Sequence, residues 1–184
     1  ATSPATVSFG SLASQTFTAG GISPNGSVQD ATFSVTCSIA LSLGLLSNSS
    51  TWLRMTAQQP LTMSNGTDSI SYIIASNSTY TPSISAQNGS IGGPSGFNLI
   101  TLGLLTLGRV DIPLHIATTA TSIWPSAGTY TGTQTLLVDG TMCVLLSVGN
   151  VCIGSNPVNS TVTMNLSLTV SKSCEFISTP TSAS

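Results

Sequence analysis

The feature that most constrains this chain is a strict alternation of apolar and polar residues over 161–171. Its polar members are Thr, Asn and Ser, and its five apolar members are Val162, Met164, Leu166, Leu168 and Val170. Successive side chains of a β-strand point to opposite faces, so this alternation puts all the apolar side chains on one face. The sequence therefore predicts a long strand that contributes one face to a hydrophobic core.

Several shorter segments share this period of two and are predicted to be strands as well. They are residues 33–37, 69–75, 110–116 and 133–138. In 110–116 the apolar residues face one side, and Asp111, Pro113 and His115 face the other. Because proline has no backbone N–H to donate, Pro113 predicts that its strand lies at a sheet edge or contains a bulge.

Turn signals separate these strands, and no segment has a helical period. The signals are Asn-Gly or Asp-Gly pairs at residues 25–26, 65–66, 88–89 and 139–140. Such pairs favour the left-handed backbone conformations of tight turns. Many short strands joined by such turns predict an all-β fold, an antiparallel β-sandwich.

The chain length of 184 residues suits one domain with a substantial core. The composition changes near the C-terminus, where residues 173–184 are rich in Ser and Thr. We therefore predict one domain over residues 1–172. Residues 173–184 are predicted to be a linker or the start of a second, similar domain.

Charge is scarce, and this excludes several functions. Only 4% of residues are charged, with three Lys and Arg against five Asp and Glu. Neither a nucleic-acid surface nor a polybasic membrane patch can be built from so few cations. His115 is the single histidine, the carboxylates are scattered singly, and no G-x-S-x-G or phosphate-binding glycine motif occurs. We predict no enzyme activity, no cofactor and no bound metal.

Two of the four cysteines predict a disulfide. Cys143 and Cys152 flank a short apolar segment at the separation expected of a hairpin. Closing a loop of about 10 residues contributes on the order of 2–3 kcal/mol in the chain-entropy model. Zinc is the alternative, but these cysteines lack the spacing of a ligand knuckle and the histidine is distant.

Three segments combine large aliphatic residues with glycine. We call residues 41–47 segment 1, residues 99–108 segment 2 and residues 144–151 segment 3. Glycine weakens a strand and often marks a bend, and contiguous exposed apolar residues usually mark an interaction site. The alternative is that all three are buried strands with bulges. The candidate surface-binding residues are Leu43, Leu45, Leu46, Leu99, Ile100, Leu102, Leu104, Leu105, Leu107, Val144, Leu145, Leu146, Val148 and Val151.

Several motifs, in order along the chain, resemble those of the spore coat protein U family. They are SPATVSFG at 3–10, ATFSVTC at 31–37, LRM at 53–55, SISYII at 69–74 and PSAGTYTGT at 125–133. Together they span most of residues 3–170. The last motif has Gly132 where the family usually has Asp, and the cysteine that the family carries near its first strand is absent. Cys174 is then the candidate partner of Cys37, unless Cys174 belongs to a following domain.

The resemblance implies an immunoglobulin-like sandwich with protruding hairpin loops and a role in archaic chaperone–usher pili. Tip adhesins of the Csu type grip abiotic surfaces through hydrophobic finger loops and promote biofilm formation. Segments 1 to 3 match such loops. The implied partners are abiotic or host surfaces, a periplasmic chaperone, an outer-membrane usher, and the adjacent pilus subunit through a following C-terminal domain. The implied location is extracellular, at the pilus tip, after passage through the periplasm.

The N-terminal sequence bears on the position in a pilus. An ordinary pilin begins with an alternating donor extension, whereas residue 1 lies almost directly at the motif of residues 3–10. This fits a tip domain, and it fits a trimmed chain equally well. We expect a complete sandwich that folds alone.

Two rival functions remain. A sugar-binding adhesin would stack sugar rings on Trp52, Trp124 or Tyr80, although we expect Trp124 to lie in the core. A structural shaft pilin or coat protein would lack one strand of its sandwich and receive it from another chain.

Overall fold

The computed structural model describes residues 6–13, 28–36, 52–94, 104–106, 109–121, 123–143 and 155–172. Within these residues it contains eleven strands and no helix. The strands are β1 (Thr6–Ala13), β2 (Val28–Thr36), β3 (Trp52–Ala57), β4 (Thr62–Ser64), β5 (Ser69–Ala75), β6 (Ser83–Ile84), β7 (Ser90–Gly92), β8 (Leu104–Thr106), β9 (Arg109–Thr118), β10 (Gly128–Cys143) and β11 (Ser155–Ser171).

The strands form two layers that are joined through β5. In the first layer β11 lies between β1 and β10, and the far edge of β10 is shared by β3 and β4. In the second layer β9 lies between β2 and β5 and also pairs with β8. The start of β5 pairs with β4 of the first layer, and its end pairs with β9 of the second. This arrangement confirms the predicted all-β, immunoglobulin-like sandwich.

The long alternating segment forms most of β11, as predicted. Its inward side chains Met164, Leu166, Leu168 and Val170 are all buried. They pack in one core with residues of both layers, among them Leu53, Met55, Ile70, Tyr72, Leu114, Ile116, Tyr130, Leu136 and Val138. The side chain of Val162 lies outside the described residues. Strand β11 therefore joins the core from Met164 to Val170, where its period matches the pleat.

A buried tyrosine fixes the start of β10. The hydroxyl of Tyr130 donates a hydrogen bond to the backbone oxygen of Ser126, at 2.8 Å. A tyrosine that bonds back to the backbone a few residues upstream is typical of immunoglobulin-like sandwiches. The carboxylate of Asp68 accepts a hydrogen bond from the Ser126 N–H, and the Asn65 amide donates to the Ser126 hydroxyl. The connection between β9 and β10 is thus tied to the turn between β4 and β5.

The turn predictions are confirmed at two positions and wrong at a third. Turns occur at residues 65–66 and 88–89, where Gly66 and Asn88 have φ of 92° and 62°. The pair Asp139-Gly140 instead lies inside β10, which stays paired with β11 from Gly128 to Cys143. A Cβ at Gly140 would overlap the backbone oxygen of Trp52, so this glycine permits the close approach of β3. The pair at residues 25–26 lies outside the described residues.

The edge prediction for the Pro113 strand is also wrong. Strand β9 is an interior strand, and its register with β2 is continuous from Arg109 to Ala117. On its other side β8 pairs up to Asp111 and β5 begins pairing at His115. Pro113 lies in the interval between these two partners, where neither β8 nor β5 pairs with β9. A residue without a backbone N–H is accommodated there inside a sheet.

Candidate functional site

The directions of the strands show which of their ends lie together. Strand β9 is antiparallel to β5, so the start of β9, at Arg109, lies towards the same end of the sandwich as the end of β5. Strand β10 is antiparallel to β4, which is itself antiparallel to β5. Strands β10 and β5 therefore run in the same direction, and the last residue of β10, Cys143, lies towards that same end. The partners of β9 and β10 bring Thr36, Trp52 and Ser155 to this end as well. We call it the loop end of the sandwich.

The opposite end holds the start of β5, the start of β10 and the end of β11. Val170 is paired with Gly128 there, and Lys172 follows the last strand. We call this the Tyr130 end, because the Tyr130 and Ser126 contacts lie at it.

The strand ends that flank the three apolar segments all lie at the loop end. Segment 1 lies between Thr36 and Trp52, and segment 3 lies between Cys143 and Ser155. Segment 2 lies between β7 and Arg109 of β9. The residue of β7 nearest the loop end is its last one, Gly92. The topology therefore directs three separate connections, each with an apolar segment, to the same end of the molecule.

Most of the candidate binding residues themselves lie outside the described residues. This applies to Leu43, Leu45, Leu46, Leu99, Ile100, Leu102, Leu107, Val144, Leu145, Leu146, Val148 and Val151. Leu104 and Leu105 are the exceptions, because their backbone forms β8 opposite Asp111 and Val110. Strand β8 forms a hairpin with β9, and only residues 107–108 separate Thr106 from Arg109. Part of segment 2 is thus a short strand that ends at the loop end.

The cysteines are placed only in part. Cys143 is the last residue of β10 and lies opposite Ser155 of β11. Cys152, Cys37 and Cys174 lie outside the described residues, so both disulfide pairs stay predictions. The nearest described residues to Cys37 and Cys174, namely Thr36 and Lys172, lie at opposite ends of the sandwich, which does not favour that second pair.

Arg54 and Asp139 form an ion pair near the loop end. Arg54 of β3 lies directly across from Asp139 of β10, and its Nε and Nη2 donate to the two carboxylate oxygens at 3.1 and 2.6 Å. These hydrogen bonds and the attraction of the carboxylate raise the pKa of Arg54. The guanidinium carbon lies 5.5 Å from the centre of the Trp52 ring. The charge of Arg54 is therefore held against that of Asp139 rather than presented alone.

The aromatic residues considered for sugar stacking do not share one surface. Trp52 lies at the loop end, whereas Trp124 lies in the connection before Gly128, at the Tyr130 end. Our expectation that Trp124 lies in the core is wrong, since 42% of it is exposed and its neighbour Pro125 is buried instead. Tyr80 is half-buried and makes an edge contact with His115, with ring centres 6.3 Å apart.

The titratable groups do not converge on one reactive site in the described part of the chain. His115 is half-buried beside Tyr80. The pKa of Asp68 is lowered by its hydrogen bonds to Ser126, and Asp139 is paired with Arg54. Across the described ranges, no three His, Cys, Asp or Glu side chains gather as metal ligands would. The same residues include no helix long and apolar enough to cross a membrane.

Two features escaped sequence reasoning. Ile123 and Trp124 are exposed although both are large and apolar, with 70% and 42% of their surface accessible. The ion pair of Arg54 and Asp139 depends on the register between β3 and β10. The only sequence signal for the first feature is that residues 119–127 lack the alternation of the neighbouring strands.

Comparison with known proteins places the fold. No protein-family profile and no curated sequence matches the chain. Among solved structures, the CooA pilin subunit of enterotoxigenic Escherichia coli matches with a TM-score of 0.51 and 11% identity, covering 91% of each chain. The chain therefore has the fold of a pilin subunit.

Two further structures are similar over 91% of this chain. One is the CsuC–CsuE complex of chaperone and tip adhesion subunit from archaic chaperone–usher Csu pili of Acinetobacter baumannii (TM-score 0.47, 17% identity, 59% of that chain). The other is the CupB6 tip adhesin of Pseudomonas aeruginosa (TM-score 0.49, 13% identity, 40% of that chain).

Proposed function

We propose that the chain is the surface-binding domain of a pilus tip adhesin of the archaic chaperone–usher type, related to spore coat protein U. It attaches bacteria to abiotic, hydrophobic surfaces through segments 1 to 3 and so promotes biofilm formation. It is not an enzyme. A periplasmic chaperone and an outer-membrane usher assemble it, and a following C-terminal domain joins it to the adjacent subunit. Its final location is extracellular, at the pilus tip.

Strand β11 is the observation that carries this proposal. It pairs with β1 along one edge and with β10 along the other. Its inward residues Met164, Leu166, Leu168 and Val170 are buried in the core. A shaft pilin takes such a strand from a neighbouring chain by donor-strand complementation. A domain that supplies the strand itself needs no neighbour, which favours a tip domain over a shaft pilin.

The arrangement of the two ends supports the same function. The strand ends that flank segments 1 to 3 lie at the loop end, and the chain leaves β11 at the Tyr130 end, after Ser171. A domain or subunit that follows would then lie on the side away from the surface. The three apolar segments would be free to meet the surface together.

The energetics favour several weak contacts over one strong contact. If one segment buries four side chains of roughly 40 Å² each, it gains on the order of 4 kcal/mol before costs. Ordering the segment and desolvating its backbone reduce this gain. Three segments on one rigid domain, and many pili on a cell, make attachment strong through avidity. The near absence of charge helps, since few ions must lose their water on contact.

Adhesion of leucine variants tests the proposal. We expect Leu145→Ser/Leu146→Ser to lower adhesion of the domain to polystyrene about tenfold, the effect of roughly 1.4 kcal/mol left after ordering costs. Leu104→Ser/Leu105→Ser should lower it as well, and the four changes together should lower it further. The matched control is Ile123→Ser/Trp124→Ser, which removes exposed apolar residues at the Tyr130 end and should leave adhesion unchanged.

Circular dichroism and thermal unfolding of each variant separate adhesion from folding. Leucine variants that fail to fold would assign segments 2 and 3 to the core. Leucine variants that fold and adhere like the parent would reject the proposal, as would a loss of adhesion only in the control.

A folding experiment separates the tip domain from a shaft pilin. We expect the chain to be a soluble monomer in sedimentation velocity when it is produced without a chaperone or a donor peptide. Dependence on either would favour the shaft pilin, because the core would then need a strand from outside.

A further inference from the structure

The Tyr130 end has an apolar surface of its own. We call Ile123 and Trp124 the Trp124 ledge; they are the large hydrophobic side chains exposed among the described residues. Beside the ledge is an open cleft of about 290 Å³. Its lining combines the apolar residues Ala120, Ile123 and Pro125 with polar residues that include Asp68, Ser71 and Thr121.

The ledge is held in place by polar contacts on both sides. The hydroxyl of Thr121 donates to the backbone oxygen of Ile123 at 2.7 Å. After the ledge, Pro125 is buried and Ser126 is bound by both Asp68 and Asn65. The connection is therefore fixed with its two largest apolar side chains outward, and their exposure costs free energy unless something covers them.

The chain itself brings a candidate cover to this place. Val170 is paired with Gly128, so residues 173–184 start beside the connection that carries the ledge. They include one adjacent pair of large apolar residues, Phe176 and Ile177, in an otherwise Ser- and Thr-rich stretch. Six residues of extended chain reach about 20 Å, and the four residues from Gly128 back to Trp124 span at most about 14 Å.

We propose that Phe176 and Ile177 dock on the Trp124 ledge and that the backbone around them lies in the adjoining cleft. A peptide suits the mixed lining, since its apolar side chains meet Ile123 and Trp124 while its backbone bonds to groups such as the Ser71 hydroxyl. Docking fixes the direction in which the chain leaves the sandwich. The inference stands whether or not segments 1 to 3 bind surfaces.

The tryptophan fluorescence of the chain tests this docking. The chain has two tryptophans, so Trp52→Phe leaves Trp124 as the reporter. In this background, we expect Phe176→Ser/Ile177→Ser to raise acrylamide quenching of Trp124 about twofold and to shift its emission to longer wavelength, because the indole loses its apolar cover. A chain ending at Lys172 should behave like this variant. The matched control, Thr179→Ala/Thr181→Ala in the same stretch, should behave like the parent.

Three outcomes would overturn the proposal. One is equal quenching in the parent and in the Phe176 and Ile177 variant. Another is protection of Trp124 that grows with protein concentration, because a second copy of the chain would then cover the ledge. The third outcome applies if the Trp52→Phe variant does not fold. The indole N–H resonance of Trp124 is then followed by NMR in chains that keep Trp52. If this resonance does not change when Phe176 and Ile177 are replaced, docking is contradicted.

Discussion

The two ends of the sandwich are closed by different means. At the Tyr130 end the connections 65–68 and 119–127 are tied by polar contacts centred on Ser126, and the connection 14–27 between β1 and β2 also starts and ends there. At the loop end the connections 37–51, 93–103 and 144–154 carry the glycine-bearing apolar segments. Two connections of the Tyr130 end are thus held by polar hydrogen bonds, whereas three connections of the loop end carry apolar segments.

This difference suggests that the Tyr130 end contributes to the stability of the fold, whereas the apolar segments of the loop end contribute to contact with other surfaces. Asn65, Asp68 and Ser126 are half-buried and hold one another through directional hydrogen bonds. Aliphatic side chains in a long connection have no such partners and gain free energy only by burial. We expect changes at the Tyr130 end to alter stability, and changes in the apolar segments to alter adhesion.

The largest expected effect comes from Gly140, in β10 near the loop end. Its φ is 154°, and a Cβ would overlap the Trp52 oxygen, so Gly140→Ala should destabilise the domain by about 3 kcal/mol or more. Gly66→Ala, in the turn at the Tyr130 end, adds a Cβ into open space at φ 92° and should cost only about 1 kcal/mol. Urea unfolding measures both. Equal costs would mean that β3 does not approach β10 closely at Gly140.

The disulfide of segment 3 should have the next largest effect. Cys143→Ser/Cys152→Ser should lower the free energy of unfolding by about 2–3 kcal/mol, since the open chain gains entropy in the unfolded state. Urea unfolding of the variant and of the parent under non-reducing conditions measures this loss. Peptide mapping of native protein should recover the bonded pair. Free thiols at both positions would contradict the prediction and remove the covalent closure of segment 3.

At the Tyr130 end, Tyr130→Phe removes the hydroxyl that donates to the Ser126 backbone oxygen and also lies 3.3 Å from the Ser126 hydroxyl. We expect a loss of about 1 kcal/mol in the free energy of unfolding, because the Ser126 oxygen then loses its donor. Adhesion to polystyrene should not change. If Tyr130→Phe lowered adhesion without changing stability, the Tyr130 end would take part in adhesion, which contradicts our proposal.

The smallest effect concerns pH. The pKa of Asp68 is lowered in the folded state, chiefly by hydrogen bonds from Ser126. Its contribution to stability is therefore complete above the unfolded-state pKa, near 4, and is lost as the pH falls through the lower folded-state pKa. Compared with the parent, Asp68→Asn should lose less stability between pH 5 and pH 2. Identical pH profiles would mean that the Asp68 carboxylate does not hold Ser126 in solution.

Sequence reasoning was most successful where a local pattern decides the structure. The alternation of residues 161–171 predicted the buried face of β11, and residues 69–75 and 133–138 likewise lie in β5 and β10. It failed where distant partners decide. Asp139-Gly140 has the composition of a turn, but pairing with β3 and β11 keeps it in a strand.

The sequence by itself therefore determined that the chain is a β-sandwich with scarce charge, because alternation and composition are properties of neighbouring residues. Only the tertiary structure decided that the strand ends flanking all three apolar segments lie together, that β9 is an interior strand, and that Trp124 faces outward. These features depend on which strands pair and in which direction. Pairing is settled by contacts between residues far apart in the chain, and no local pattern encodes them.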